Sequence, residues 1–544
     1  MATGSGRRAE RPFQQGTRGD RRWWRSGEED ESVADHVVSP GQPGQPDPVP
    51  DDRFGGEDAS TPVDIVISDV TIIDGTGGEP FLGDVGVRGD RIAVIGGPGT
   101  LSGGRRIDGT GRALAPGFID VHTHDDFAVV LHPEMEFKTM GGVTTCVVGN
   151  CGFGAAPHAL AVLLASALHP GHELPEWEGY SGYLSRLEQE PASVNVAALV
   201  GHGVVRGSVM GTDNRRPVTA ELAAMCLEIE EGMEAGALGM STGLIYEPGR
   251  YADTAELIDL CGPVADAGGL YATHMRDEGV GLLESVAEAL EVGRRAGLPV
   301  QISHHKASGR EAWGLVGRSL EMIEAARAEG LDVWADQYPY TAGSTILSAV
   351  AAMNGLEPES IVISSCEPRP EWESQSVADL ARSWEVEPAV AVGRVLAEAP
   401  GTTVVLHSID EGDVRTVMRH PTTMIGSDGL PTLEGKPHPR LYGTFARVLG
   451  HYSRDLGLFP LAEAVHRMTG LPAARFGLTD RGIIAPGRFA DLVVFDPEAV
   501  IDRGTFADPK HYPAGIHQVL VNGRLVVDEG SHTGERPGAV LRRS

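Results

Sequence analysis

One alternation, repeated eight times, constrains this chain more than anything else in it. Short apolar runs lie at Gly117–His122, Thr145–Gly149, Val194–Val200, Ala237–Ser241, Leu270–His274, Val300–His304, Val333–Asp336 and Thr423–Asp428. Between them lie stretches of helical periodicity, such as Ala220–Ala235, with Thr219 as its N-cap, and Gly281–Ala296. Strand and helix in regular alternation predict parallel strands joined by crossover helices. Eight such units predict an α/β chain closed into a (β/α)8 TIM-like barrel spanning residues 117–480, with its chemistry at the C-terminal ends of the strands. The stretch at about 346–410 is too long for a crossover, and predicts an insertion over the barrel mouth that could act as a lid.

The flanks have a different rhythm. Val63–Ile73, Val85–Arg88 and Arg91–Ile95 alternate like strands with glycine turns nearby, and Phe489–Phe495 and Val519–Val527 repeat the pattern, with Asn522-Gly523 as a hairpin turn. Residues 61–116 and 481–544 therefore predict one small β-sandwich domain built from both chain ends. Residues 1–60 carry a Pro/Gly run and segregated charge with little apolar periodicity, and predict a disordered tail.

Composition narrows the partners. The formal charge of −31 is wrong for a chain whose main partner is a nucleic acid or an anionic membrane, since either requires a basic footprint. No run of eighteen apolar residues appears, and the Arg21–Arg25 cluster is not followed by the apolar stretch of a secretion signal. Five cysteines without a CxxC pair predict reduced thiols and a cytoplasmic protein. Glycine and proline together make up about a fifth of the residues, which predicts many turns and long functional loops.

The strand ends carry the chemistry. His122 and His124 are two residues apart, so on a strand both imidazoles face the same way. Cys151 follows the second strand, His274 ends the fifth, His304 the sixth and Asp428 the eighth. Any one of them alone reads as an ordinary core residue, but six at the same end of one barrel predict a metal site. Imidazole and thiolate ligands favour zinc with one coordination position left open for water. His305 points away from this site by strand alternation, His202 reads more readily as a packing group than as a site residue, and Tyr246 and Glu247 read at least as well as loop packing as mouth-lining groups.

At this point the chain resembles a known group. Pro116-Gly-Phe-Ile-Asp-Val-His-Thr-His124 and Gly482-Ile-Ile-Ala-Pro-Gly-Arg-Phe-Ala-Asp-Leu-Val493 resemble the amidohydrolase superfamily. Gly149-Asn-Cys-Gly-Phe-Gly154, Thr242-Gly-Leu-Ile-Tyr-Glu-Pro-Gly249, Thr273-His-Met-Arg276, Ile302-Ser-His-His-Lys306, Asp336–Thr345, Gly426-Ser-Asp-Gly429 and His438-Pro-Arg440 are similar to the N-acyl-D-amino-acid deacylase family within it. The resemblance implies that Cys151, His274 and His304 hold a tight zinc, with His122, His124 and Asp428 forming a weaker second position. It implies Asp428 as general acid/base, and Lys306, Tyr338, Ser344 and Arg440 as the groups that hold a small-molecule N-acyl amino acid. The D-handedness comes from the resemblance alone. Two alternatives stand beside it: a cyclic-amide hydrolase like dihydroorotases and hydantoinases, whose bridging lysine is missing after strand four, and a non-catalytic barrel scaffold, which would have no reason to keep all six ligands.

Overall fold

The computed structural model describes residues 54–350 and 356–543, so the predicted tail lies outside the described residues except for its last seven. Within those seven, Gly55–Gly56 pairs with Ile95 and Val94, and Phe54 packs edge-on against Phe81.

Eight parallel strands form the centre: β1 (Phe118–Asp120), β2 (Val143–Val148), β3 (Asn195–Ala198, resuming at Val200–Gly201), β4 (Gly239–Gly243), β5 (Leu270–His274), β6 (Val300–Ile302), β7 (Val333–Gln337) and β8 (Thr423–Ile425). Each pairs with the next in parallel, the first pair with a one-residue irregularity at Phe118. Just past the ends of β8 and β1 the ring closes: the Asp428 amide donates to the His122 carbonyl at 2.7 Å, the His124 amide donates to the Gly429 carbonyl at 3.0 Å, and Thr123 bridges Gly429 in parallel. The seam that completes the barrel is therefore made by residues that flank its chemistry.

Amphipathic helices cover the outside. Leu282–Ala296 turns Leu282, Val286, Ala289, Leu290 and Gly293 inward, ends at Gly297 in the left-handed conformation, and places Arg294 and Arg295 in its last turn, where cations suit the helix dipole. The helix expected from Ala220 spans Thr219–Glu234, so Thr219 lies inside it instead of capping it. The Glu221 carboxylate accepts the Val218 amide at 2.8 Å in place of a hydroxyl cap.

The two chain ends form one continuous ladder of ten strands. Val63–Ile72 pairs with Phe81–Arg88 and Gly103–Asp108, and Ala113–Pro116 pairs with Leu492–Phe495, which continues through Ile516–Val521 to Arg524–Asp528. The ladder bends over an apolar core in which Ile67, Val85 and Leu114 from one end meet Leu492 and Leu520 from the other. Val540–Leu541 then crosses back to pair with β3.

The segment expected as an insertion has its own core. Gly343–Ile346, Ile361–Ser365 and Thr403–Leu406 form an antiparallel sheet, covered by the helices Val377–Ser383 and Pro388–Glu398. Leu347, Ile363, Trp372, Leu380, Val395 and Val404 pack between them.

Gly149 links this frame to its chemistry. It leaves β2 with φ +81°, and an added Cβ would overlap the carbonyl of Leu199 in the neighbouring strand. Gly149→Ala is expected to lose about 2 kcal/mol or more, read as a lower urea midpoint. Gly111→Ala, at φ +74° with open space around it, is the control for backbone strain alone.

Candidate metal and hydrolytic centre

Three of the expected ligands sit on unusual backbone. Cys151, His304 and Asp428 have φ of 54°, 36° and 50°, a left-handed conformation that non-glycine residues rarely adopt and that clusters at functional sites. Each lies two or three residues past its strand, so this local reversal turns the side chain inward over the barrel mouth.

There the ligand atoms converge in two groups that share His304. His122, Cys151, His304 and Asp428 form one, and His274, Glu278 and His304 the other, with the ligand atoms of each within 4.8 Å of one another. His122 Nε2 lies 3.3 Å from Cys151 Sγ and 3.6 Å from Asp428 Oδ1, and His304 Nε2 lies 3.5 Å from Cys151 Sγ. His124 joins through Asp428, its Nε2 3.1 Å from Oδ1.

Two carboxylates that sequence reasoning did not assign orient these rings. His122 Nδ1 donates to Asp336 Oδ1 at 3.1 Å, and Asp336 also accepts the His304 amide and the Gln301 side chain, both at 2.8 Å. His304 Nδ1 faces Glu278 Oε1 at 2.9 Å. The Asp336 contact places the ring proton of His122 on Nδ1 and leaves Nε2 turned to the shared centre, as metal-binding histidines require, while His304 Nδ1 lies between Glu278 and Lys306 Nζ, which is also at 2.9 Å. Glu278 lies in the loop after β5, four residues beyond His274, outside any strand-end pattern. Asp336, at the end of β7, was legible as part of a motif but not as a partner of His122.

The electrostatics suit a cation. Burial alone would raise the Cys151 thiol, but His122 and His304 hold it well below its ordinary value, so it is a thiolate. Burial also opposes the ionised form of Glu278, and Lys306, His274 and His304 together keep it well below the carboxylate range. His274 is buried with neither ring nitrogen hydrogen-bonded, and burial lowers its pKa, which keeps it neutral as a ligand must be. An unpartnered imidazole beside a thiolate, in a set of N, S and O donors, fits zinc.

The residues expected to hold substrate are more committed to one another than the sequence suggested. Arg440 is fully buried, with Nη1 2.8 Å from Asp428 Oδ2, Nη2 donating to the Ser344 carbonyl at 3.0 Å, and its guanidinium 4.4 Å from the Tyr338 ring centroid. Ser344 therefore contributes its backbone to this network. Lys306 donates to Glu278 at 2.6 Å and to the His304 carbonyl at 3.0 Å. Tyr338 Oη and Arg440 Nε are buried without hydrogen-bond partners. Burial raises the Asp428 carboxyl, but Arg440, His304 and His124 overcome it and hold it well below the usual range.

The residues left aside are accounted for as well. His305 bonds Ser319 at 2.9 Å on the helix side, and His202 meets Glu256 at 3.2 Å beside Arg206. The Tyr246 hydroxyl bonds Thr345 at 2.9 Å, and its ring lies 5.2 Å from that of His274. Lys138 escaped sequence reasoning entirely. Fully buried in the short helix Glu136–Thr139, it bonds Asp120 at 2.6 Å, Ser427 at 2.8 Å and Thr123 at 2.9 Å.

Residues 105–527 match the amidohydrolase family. The chain is 45% identical over 487 residues to a D-aminoacylase from Alcaligenes xylosoxydans xylosoxydans, covering 89% of this chain and 99% of the relative. A solved D-aminoacylase whose binuclear metal centre is described by "one-metal activation and second-metal attenuation" aligns with a TM-score of 0.84 at 44% identity, covering 89% of this chain and 100% of that one. An N-acyl-D-glutamate deacylase from Bordetella bronchiseptica, solved with zinc and a phosphonate mimic of the tetrahedral intermediate, aligns with a TM-score of 0.81 at 41% identity, over 89% of this chain and 100% of that one. Likeness to a solved D-hydantoinase, at 19% identity and a TM-score of 0.55, extends to the fold alone. The chain belongs to the amidohydrolase family. Within that family it is a member of the D-aminoacylase group, the N-acyl-D-amino-acid deacylases.

Because Asp336 orients His122 and binds the His304 backbone, Asp336→Asn is expected to weaken zinc about 10–100-fold. Competition with a chelator of known affinity measures this, and an unchanged affinity would remove Asp336 from the account.

Proposed function

We propose that this protein is a zinc-dependent amidohydrolase that cleaves the linear amide of N-acyl-D-amino acids, releasing a carboxylate and a D-amino acid. The observation that carries the reading is the convergence of a thiolate, four imidazoles and an Asp428 carboxylate held ionised at the mouth of a barrel of this family. The D-handedness is supported by what the relatives are named for. Cys151, His274 and His304 would hold the tight ion, and His122, His124 and Asp428 a second, weaker position.

Zinc, when bound, supplies a Lewis acid that brings the pKa of a water from 15.7 towards about 7. The protein's own groups supply the rest. Asp428, ionised to low pH, takes the proton of the attacking water and later returns it to the leaving amine. The Tyr338 hydroxyl, buried without a partner, would donate to the developing oxyanion, a contribution of roughly 3 kcal/mol for such donors. Arg440 Nε, also without a partner, offers a charged contact to the substrate carboxylate. Lys306 adds positive charge on the same side, which matters for an anionic substrate approaching a chain of net charge −31.

Among the described residues no helix is long and apolar enough to cross a membrane, and all five cysteines are free. Free thiols support a cytoplasmic location.

A hydrolysis screen of paired D- and L-N-acetyl amino acids, with and without added zinc, tests the reading. Zinc-dependent hydrolysis of the D forms is expected, and hydrolysis of L forms only, or of neither, would overturn it. The pairing of Arg440 with Asp428 adds a pH signature. Without the guanidinium the Asp428 pKa rises, so in Arg440→Gln the acidic limb of kcat/KM should move to higher pH, in addition to a raised KM.

A further inference from the structure

An apolar cavity of about 240 Å3 lies against the metal centre on the side away from Arg440. Its inner end is Cys151, Phe153 and Tyr246. The two aromatic rings, 5.0 Å apart, also face the ligands, with Phe153 5.5 Å from the His124 ring and Tyr246 5.2 Å from His274. From there the walls run outward between Leu160 and Leu164 of the helix His158–Leu168 and Val204 and Gly207 of the helix His202–Met210. The outer end reaches Leu163, an apolar side chain that is 66% exposed.

Placement around the barrel decides what such a cavity would receive. Lys306, Tyr338, Ser344 and Arg440 rise from β6, β7 and the segments after β7 and β8. The cavity lies over β2, β3 and β4, across the mouth from them. In an N-acyl amino acid the carboxylate and the acyl chain are the two ends of one extended backbone, with the scissile amide between them. A substrate whose carboxylate is held at Arg440 and whose amide lies over the metal centre therefore directs its acyl chain towards β2–β4. The amino-acid side chain leaves in a third direction, where a separate cavity beside Glu278 is lined by Arg250, Asp277 and Ser308.

We infer that the cavity between Phe153, Tyr246 and the helices His158–Leu168 and His202–Met210 is an acyl-chain channel, which makes medium-chain N-acyl-D-amino acids, with an alkyl chain of about eight carbons, the preferred substrate class. The inference rests on the hydrolase reading above. Each methylene buried from water is worth about a fourfold gain in binding, so burying only two of the six that separate octanoyl from acetyl gives more than tenfold. Glycine at 207 keeps the channel open: its missing Cβ points between Leu160 Cδ1, at 3.0 Å, and Pro248 Cγ, at 3.7 Å. Leucine is a better helix former than glycine, and its Cβ would displace only the far end of the Leu160 side chain, so Gly207→Leu fills the channel with the helix retained.

The test compares kcat/KM for N-octanoyl and N-acetyl forms of one D-amino acid on the zinc-loaded full chain. In the wild type the octanoyl form should be favoured at least tenfold, and Gly207→Leu should lower that ratio at least tenfold. A wild-type ratio near or below one, or a ratio that Gly207→Leu leaves unchanged, overturns the channel. Calorimetric titration with octanoate and acetate reads the same cavity without turnover. Octanoate should bind at least tenfold more tightly, with the difference lost in Gly207→Leu, and equal binding of the two acids overturns the channel. If neither acyl amino acid is hydrolysed, the hydrolase reading fails, while the titration still decides the channel.

Discussion

The centre depends on one buried ammonium. Lys138 has no access to solvent, and it ties Asp120 of β1 to Ser427, just past β8, with Thr123 and Asp125 completing its surroundings. Thr123 lies between His122 and His124, and Ser427 immediately precedes Asp428. The first and last strands therefore meet on a charge whose partners are direct neighbours of three proposed ligands. Burial opposes the charged lysine, yet Asp120 and Asp125 keep it firmly protonated, and removing one partner from such a buried pair typically costs about 3–5 kcal/mol. The barrel is held shut and the ligands are held in place by the same interaction.

Above this knot, charge is managed in layers. The imidazoles meet a thiolate, the outward nitrogens of His122 and His304 meet Asp336 and Glu278, and Glu278 in turn meets Lys306. Arg440 answers Asp428 on the far side. These groups in low dielectric answer one another with opposite character. Among the described residues, the buried side-chain atoms without a hydrogen-bond partner include both ring nitrogens of His274, Tyr338 Oη and Arg440 Nε, all at the centre, where an ion and a substrate would complete the network.

Much of this was legible in the sequence, for a physical reason. Strand alternation has a period of two and the barrel places its chemistry at strand ends, so His122, His124, Cys151, His274, His304 and Asp428 could be placed by pattern alone. What supports them could not. Glu278 is in a loop, Lys138 is in a four-residue helix that reads as surface, and Asp336 is one acid within a motif of several possible roles. Their positions depend on where strands far apart in sequence come to lie beside one another. The same holds for Arg440, legible as a cation near the site but not as the partner of Asp428. The insertion could be located by its excess length, but its sheet and private core could not.

That private core gives the enzyme a division of labour. Leu347, Trp372, Leu380, Val395 and Val404 pack on one another, while the Ser344 carbonyl meets Arg440 and the Thr345 hydroxyl meets Tyr246. A backbone carbonyl survives any side-chain replacement. The insertion can therefore accumulate substitutions in its own core while the barrel keeps its ligands and its closure. Reactivity is thereby anchored in the barrel, and the residues that pack the insertion's own core are left free to drift together.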